Sequence, residues 1–178
     1  MALDLAGGTA VPGRICADLP GAHAGRVHLS TDVYLPKNCS TPVPAVLVRT
    51  PYGKEDGCEI YYRYVQRGYA VVVQDVRGRN ASEGEWLPNY HEVEDGDDTL
   101  NWIAAQPWCS GRIGMVGGSY LGYVQWAAAA SGNPHLKALI SVVCAGSAFV
   151  DLPAGVGLSP RACWPGPLRC LRKPSTLS

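Results

Sequence analysis

The chain has 178 residues, 15 Lys+Arg against 15 Asp+Glu, 47% apolar residues, 21 Gly and 14 Pro. This length and composition describe one globular domain that buries about 70% of its extended surface, and they exclude a disordered chain. A zero charge balance offers no basic face for nucleic acid and no polybasic patch for a membrane surface. The seven cysteines (16, 39, 58, 109, 144, 163 and 170) show no C-x-x-C pair and no ligand-like spacing. They read as free thiols of a reducing compartment, not as a disulfide framework or zinc site. The N-terminus lacks the basic region of a signal peptide, and no apolar stretch reaches the ~18–20 residues of a membrane span. The expected location is the cytoplasm. Neither a cofactor motif nor a metal-ligand spacing is present.

Taken in chain order, residues 1–24 are rich in Gly, Ala and Pro without a clear period and read as irregular. From Val27 the pattern turns to alternation, with Val27, Leu29, Thr31, Val33 and Leu35 on one face of a half-buried strand. Four apolar runs follow: AVLVR (45–49), YAVVVQD (69–75), RIGMVGG (112–118) and LKALISVV (136–143). Each is short and apolar on both parities, as strands of a parallel sheet covered on both faces must be. Helical patterns separate them. Ile60, Tyr61, Tyr64 and Val65 mark the face of a first helix. A second spans about Glu92 to Gln106 around Leu100, Trp102 and Ile103, and a third runs from Tyr120 to Ser131. Strand–helix alternation at this spacing predicts βαβ units in a mostly parallel, doubly wound α/β sheet over residues 25–150.

Residues 151–178 break this pattern. They hold five prolines, and Arg161, Arg169, Arg172 and Lys173 face the single acid Asp151, a net +3. Neither helix nor strand runs far through such a segment. A shifted reading frame would produce a tail of this kind.

Between the strand at 113–116 and the third helix lies Gly117-Gly118-Ser119-Tyr120-Leu121-Gly122. A Gly-x-Ser pattern alone is weak, but strand–turn–helix is the setting of a nucleophile elbow. There the turn lifts the serine hydroxyl above the sheet, and the Tyr120 N–H opens the helix towards a developing oxyanion. Gly117 and Gly122 would flank the serine because a side chain would collide with the next strand or helix. The alternative is a tight glycine-rich turn with an incidental serine, and spacing leaves both open. The acidic run EVEDGDDT (92–99) reads as charge complementing a helix N-terminus, not as a calcium loop. DVRGR (75–79) reads as the turn after a strand, with Gly78 permitting the reversal, and less well as an anion clamp. His23, His28, His91 and His135 are scattered and read as surface residues.

Four blocks in order carry a family resemblance: VRTPYGK (48–54), QRGYAVVVQDVRGRNASEGEW (66–86), EDGDDTLNWIAAQPWCSGRIGMVGGSYLG (94–122) and NPHLKALIS (133–141). Over residues 26–150 the chain resembles the CocE/NonD hydrolases, the group of the cocaine esterase and the Xaa-Pro dipeptidyl-peptidases, whose elbow reads G-x-S-Y-x-G. The resemblance implies an α/β-hydrolase domain with a helical cap and a C-terminal jelly-roll. It implies Ser119 as nucleophile, the Tyr120 N–H as one oxyanion donor and the Tyr52 hydroxyl as the other. A phenol suits that role because it donates one hydrogen bond and carries no charge. Without the resemblance, Tyr52 reads as an aromatic capping a strand end.

A serine nucleophile needs a base and an orienting acid, which follow it in α/β-hydrolases. After Ser119 stand only His135, at the far end of the elbow helix, and Asp151. The expectation is therefore a truncated α/β-hydrolase with an incomplete triad, weak or inactive alone, whose lineage acts on small ester, amide or peptide substrates. The second expectation is a non-catalytic fragment whose exposed edge at 136–143 pairs with a second copy or with a separately encoded C-terminal half.

Overall fold

The computed structural model describes residues 13–20, 27–37 and 41–144, with residues 13–20 and Cys58 as backbone only. Asp151 and the tail at 151–178 lie outside the described residues, as does the expectation of a shifted frame.

Among the described residues six strands form one sheet in the order β1-β2-β4-β3-β5-β6. They are β1 (Gly13–Pro20), β2 (His28–Leu35), β3 (Val43–Thr50), β4 (Ala70–Asp75), β5 (Cys109–Gly118) and β6 (Leu136–Val142). β3, β4, β5 and β6 are parallel, whereas β1 and β2 join antiparallel at one edge. The sheet is mostly parallel, as expected. β1 was not: it lies inside the segment read as irregular. The reading of β2 as half-buried also fails, because Asp32 and Tyr34 on its second face are as buried as Val33.

Among the described residues three helices accompany the sheet: α1 (Tyr62–Val65), entered through a 3-10 turn at Cys58–Tyr61, α2 (Glu92–Ala104) and α3 (Tyr120–Ala130). Their sides follow from chirality. A right-handed crossover places its helix on one face when the chain moves one way along the sheet and on the other when it moves back. From β3 the chain moves to β4, and Tyr61 and Val65 cover Tyr34, Val46, Val48, Val71 and Val73. From β4 it returns past β3 to β5 and then β6. On that opposite face Leu100, Ile103, Val124 and Ala128 cover Val33, Leu47, Val72, Ile113 and Met115. Val71, Val72 and Val73 are fully buried, each contributing roughly 1.5–3 kcal/mol relative to exposure. Ile60, expected on the first helix face, instead stays 56% exposed because α1 is only one turn long.

This winding creates a switch point. The connection leaving β3 turns to one face and that leaving neighbouring β5 turns to the other, which opens a crevice beyond their carboxyl ends, where α/β folds bind ligands.

Candidate active site

Ser119 and Tyr52 flank that crevice. Leu47 of β3 pairs with Met115 of β5, so Thr50 and Gly118 end adjacent strands at the same level. Tyr52 follows the first by two residues and Ser119 follows the second directly.

Ser119 is exposed and has φ 56° and ψ −123°. A positive φ with that ψ lies outside both helical wells and the β region. The conformation is held from several sides. The Ser119 N–H donates to Val142 O at 2.9 Å, and its carbonyl accepts from the N–H groups of Gly122 (2.9 Å) and Tyr123 (3.1 Å). Gln125 Nε2 donates to Gly117 O at 3.1 Å, to Leu121 O at 2.8 Å and to Ile140 O at 3.3 Å. This clamps the entry of the turn, the helix that leaves it and β6 together. The two flanking glycines are where packing demands them. A Cβ on Gly117 would lie 2.4 Å from Leu121 Cβ, and one on Gly122 would lie 2.7 Å from Cys144 Cβ.

Tyr52 sits half-buried beside the core on the α2–α3 face, in a loop pinned from β4. Arg79 Nε donates to Pro51 O at 2.9 Å, and Lys54 N donates to Asp75 Oδ1 at 2.8 Å. Asp75 also accepts from Asn80 Nδ2 and Ala81 N. Burial raises its carboxyl above the usual range against the pull of those donors. The DVRGR turn is thus structural: Gly78 has φ 67°, a Cβ there would lie 2.2 Å from Trp86 N, and the Arg79 guanidinium sits 4.6 Å from the Trp86 ring centroid.

The acidic run resolves into individual partnerships. Asp95 holds Arg77 through both oxygens and lies 3.7 Å from Arg49 Nη2. That hydrogen bond is the main reason the Arg77 guanidinium is raised further. Asp97 accepts from Asn101 and Asn133. Glu92 bridges Arg49 Nη1 at 2.7 Å and the Tyr120 hydroxyl at 2.6 Å. Arg49 is fully buried, and its Nε donates to Gln74 Oε1 at 2.8 Å. Burial, followed by the Glu92 charge, pushes the Tyr120 phenol far above its ordinary value.

None of Arg49, Gln74, Glu92 or Gln125 was singled out from the sequence. The available signal was polarity inside buried runs: the terminal Arg of AVLVR and the Gln of AVVVQD have no solvent to face, so each needs a partner. His135 lies at the other end of the strands, just before β6, its N–H bonded to Asn133 Oδ1 and its carbonyl bonded to Ile113 N–H. The length of β6, ~20 Å, separates that level from Ser119.

With this geometry, comparison with known proteins decides the lineage. The X-Pro dipeptidyl-peptidase (S15 family) profile matches residues 24–161. The chain belongs to the S15 family. It is 48% identical over 119 residues to the cocaine esterase of Rhodococcus sp. (strain MB1 Bresler), covering 64% of this chain and 21% of that esterase. Among solved structures it resembles an aminopeptidase from a marine sediment archaeon, Thaumarchaeota archaeon, with TM-score 0.64 and 27% identity over 72% of this chain and 24% of the other. An alpha/beta hydrolase of Penicillium sp. sh18 shares the fold at TM-score 0.63 and 20% identity, over 74% of this chain and 46% of that one. The CocE/NonD resemblance therefore holds, and the fold is part of an α/β-hydrolase. This S15 chain spans about a fifth of the length of the cocaine esterase it matches. The family is one of esterase and peptidase hydrolases.

Among the described residues no helix is long and apolar enough to cross a membrane.

Proposed function

We propose that this S15-family chain carries the nucleophile and oxyanion hole of a serine hydrolase acting on a small ester, amide or peptide. Ser119 Oγ attacks the carbonyl carbon as its proton passes to the base, the Tyr120 N–H and the Tyr52 hydroxyl stabilise the oxyanion, and collapse expels the alcohol or amine, which takes up that proton. Water then releases the acid from the acyl-enzyme and regenerates Ser119. One observation carries the reading: Ser119 holds φ 56° and ψ −123°. Such a conformation costs a non-glycine residue about 1–3 kcal/mol and persists at functional turns. An incidental serine there would be expected to give way to glycine.

The reading assigns no described histidine as base, because in α/β-hydrolases the base follows the nucleophile in the chain. His28 and His91 precede Ser119, and His135, the one described histidine after it, lies at the wrong end of the strands. These residues alone should therefore turn over slowly, with the base coming from another part of the protein or from a partner. A fluorophosphonate probe with adduct mapping by mass spectrometry tests this. We expect one adduct, on Ser119, formed faster when free imidazole is added and absent in Ser119→Ala. Equal labelling of Ser119→Ala would overturn the assignment. Imidazole-independent rapid labelling would overturn the missing base.

A second reading, association through β6, is favoured by one observation. Ile140 and Val142 on its outer face are 52% and 51% exposed, and β6 is an edge of the sheet among the described residues.

A further inference from the structure

We infer that Glu92 is a positioning residue that aims the Tyr120 N–H at the oxyanion. The inference rests on the serine-hydrolase reading and adds a residue with no contact to the reacting atoms.

The tether has four links. Gln74 on β4 orients Arg49 on β3, and Arg49 holds one oxygen of Glu92 at 2.7 Å. The other Glu92 oxygen accepts from the Tyr120 hydroxyl at 2.6 Å. That hydroxyl in turn accepts from Asn89 N–H at 3.1 Å. Arg49 also donates to the Glu92 carbonyl at 3.3 Å, so the carboxylate cannot swing without moving the start of α2. Arg49, Glu92 and Tyr120 are all buried.

The backbone of Tyr120 is the first residue of α3 and adjoins the strained Ser119. Rotation there redirects the N–H and relaxes the serine together. Val142 O and Gln125 hold Ser119, Gly117 and Leu121 by backbone contacts. The Glu92 bond grips Tyr120 by a side chain that reaches across from α2. Glu92 and Tyr120 are 28 residues apart, and a carboxylate ion-paired to a buried guanidinium is an acceptor of fixed direction.

The test separates aiming from mere support of the fold. Tyr120→Phe leaves the Arg49–Glu92 pair in place and cuts the tether at the phenol, together with the bond from Asn89 N–H. Glu92→Gln keeps the shape, and with its amide oxygen on Arg49 its NH2 faces the Tyr120 hydroxyl, so the phenol loses its charged acceptor. Ile103→Val, a core truncation outside the site, sets how far lost stability alone moves each readout. Two quantities are read on the full chain: the rate of Ser119 phosphonylation in imidazole, and amide exchange across residues 119–123.

We expect Tyr120→Phe and Glu92→Gln each to slow labelling roughly 10- to 100-fold. Both should speed exchange in that segment, and the double variant should be no slower than the worse single one. If Glu92 served only to pair Arg49, Tyr120→Phe would label and exchange like the unaltered chain, and the inference falls while the serine-hydrolase reading stands. If the unaltered chain never labels, that reading falls. Amide exchange then still judges the tether, and unchanged exchange in both variants overturns it.

Discussion

Ser119 stores strain that neighbours supply the means to hold, and Tyr120 shows how tightly. Its phenol is buried against the Glu92 charge, so the folded state keeps the proton where an unfolded tyrosine, with its ordinary 10.0, would lose it. The sign follows: a raised folded value gives stability that is complete below about pH 10 and is lost as pH rises beyond it, because the unfolded state alone can shed the proton. Urea unfolding should therefore show Tyr120→Phe less stable than the unaltered chain by about 1 kcal/mol near neutrality. The gap should narrow or invert above about pH 10. A constant gap across that range would contradict the assigned environment. At this scale the strand–turn–helix around Ser119 was legible because its logic is local: Gly, Ser and Gly at fixed offsets between a strand and a helix. Arg49 and Glu92 were not, since their meaning depends on a partner 43 residues away. Read locally, one is the end of a strand and the other a charge at a helix start.

The packing of α2 on α3 turns on Gly96, whose added Cβ would lie 2.9 Å from Ala128 Cβ and 3.2 Å from its Cα. Two effects compete in Gly96→Ala. Helix propensity favours alanine by about 1 kcal/mol, whereas overpacking a tight contact costs about 1–3 kcal/mol. The obstacle includes main-chain Cα, which cannot swing aside, so overpacking should win. Thermal or urea unfolding should show a net loss, and a gain in stability would mean that the helices slide apart freely. Elements with strong patterns (β3, β4, β5, α2 and α3) were legible to within a few residues. β1 was not, because its pairing with β2 runs through backbone groups that any sequence carries. The polar Asp32 of β2 was equally opaque: its burial is made tolerable by Lys54 Nζ at 2.9 Å, from beyond the next strand but one.

Among the described residues, the sheet is covered unevenly. α1 and its 3-10 turn lie over β2, β4 and β3, while on that same face Ile140 and Val142 of β6 stay half-exposed. An apolar face on a terminal strand invites association. Sedimentation velocity should show concentration-dependent assembly of the chain that Ile140→Lys reduces, with melting temperature little changed because the side chain faces outward. Equal assembly by the variant would remove the second reading.

By itself, the sequence determined the class of fold, the strand–turn–helix around Ser119 and the hydrolase lineage, because periodicity and turn chemistry act between residues close along the chain. Only the tertiary structure decided that Tyr52 and Ser119 follow the carboxyl ends of adjacent strands, that Glu92 answers to Arg49 and grips Tyr120, and that His135 stands at the opposite end of the strands. Those relations arise from crossovers that reverse direction between β4 and β5, and from buried charges obliged to find each other at long range. Neither leaves a mark at short spacing.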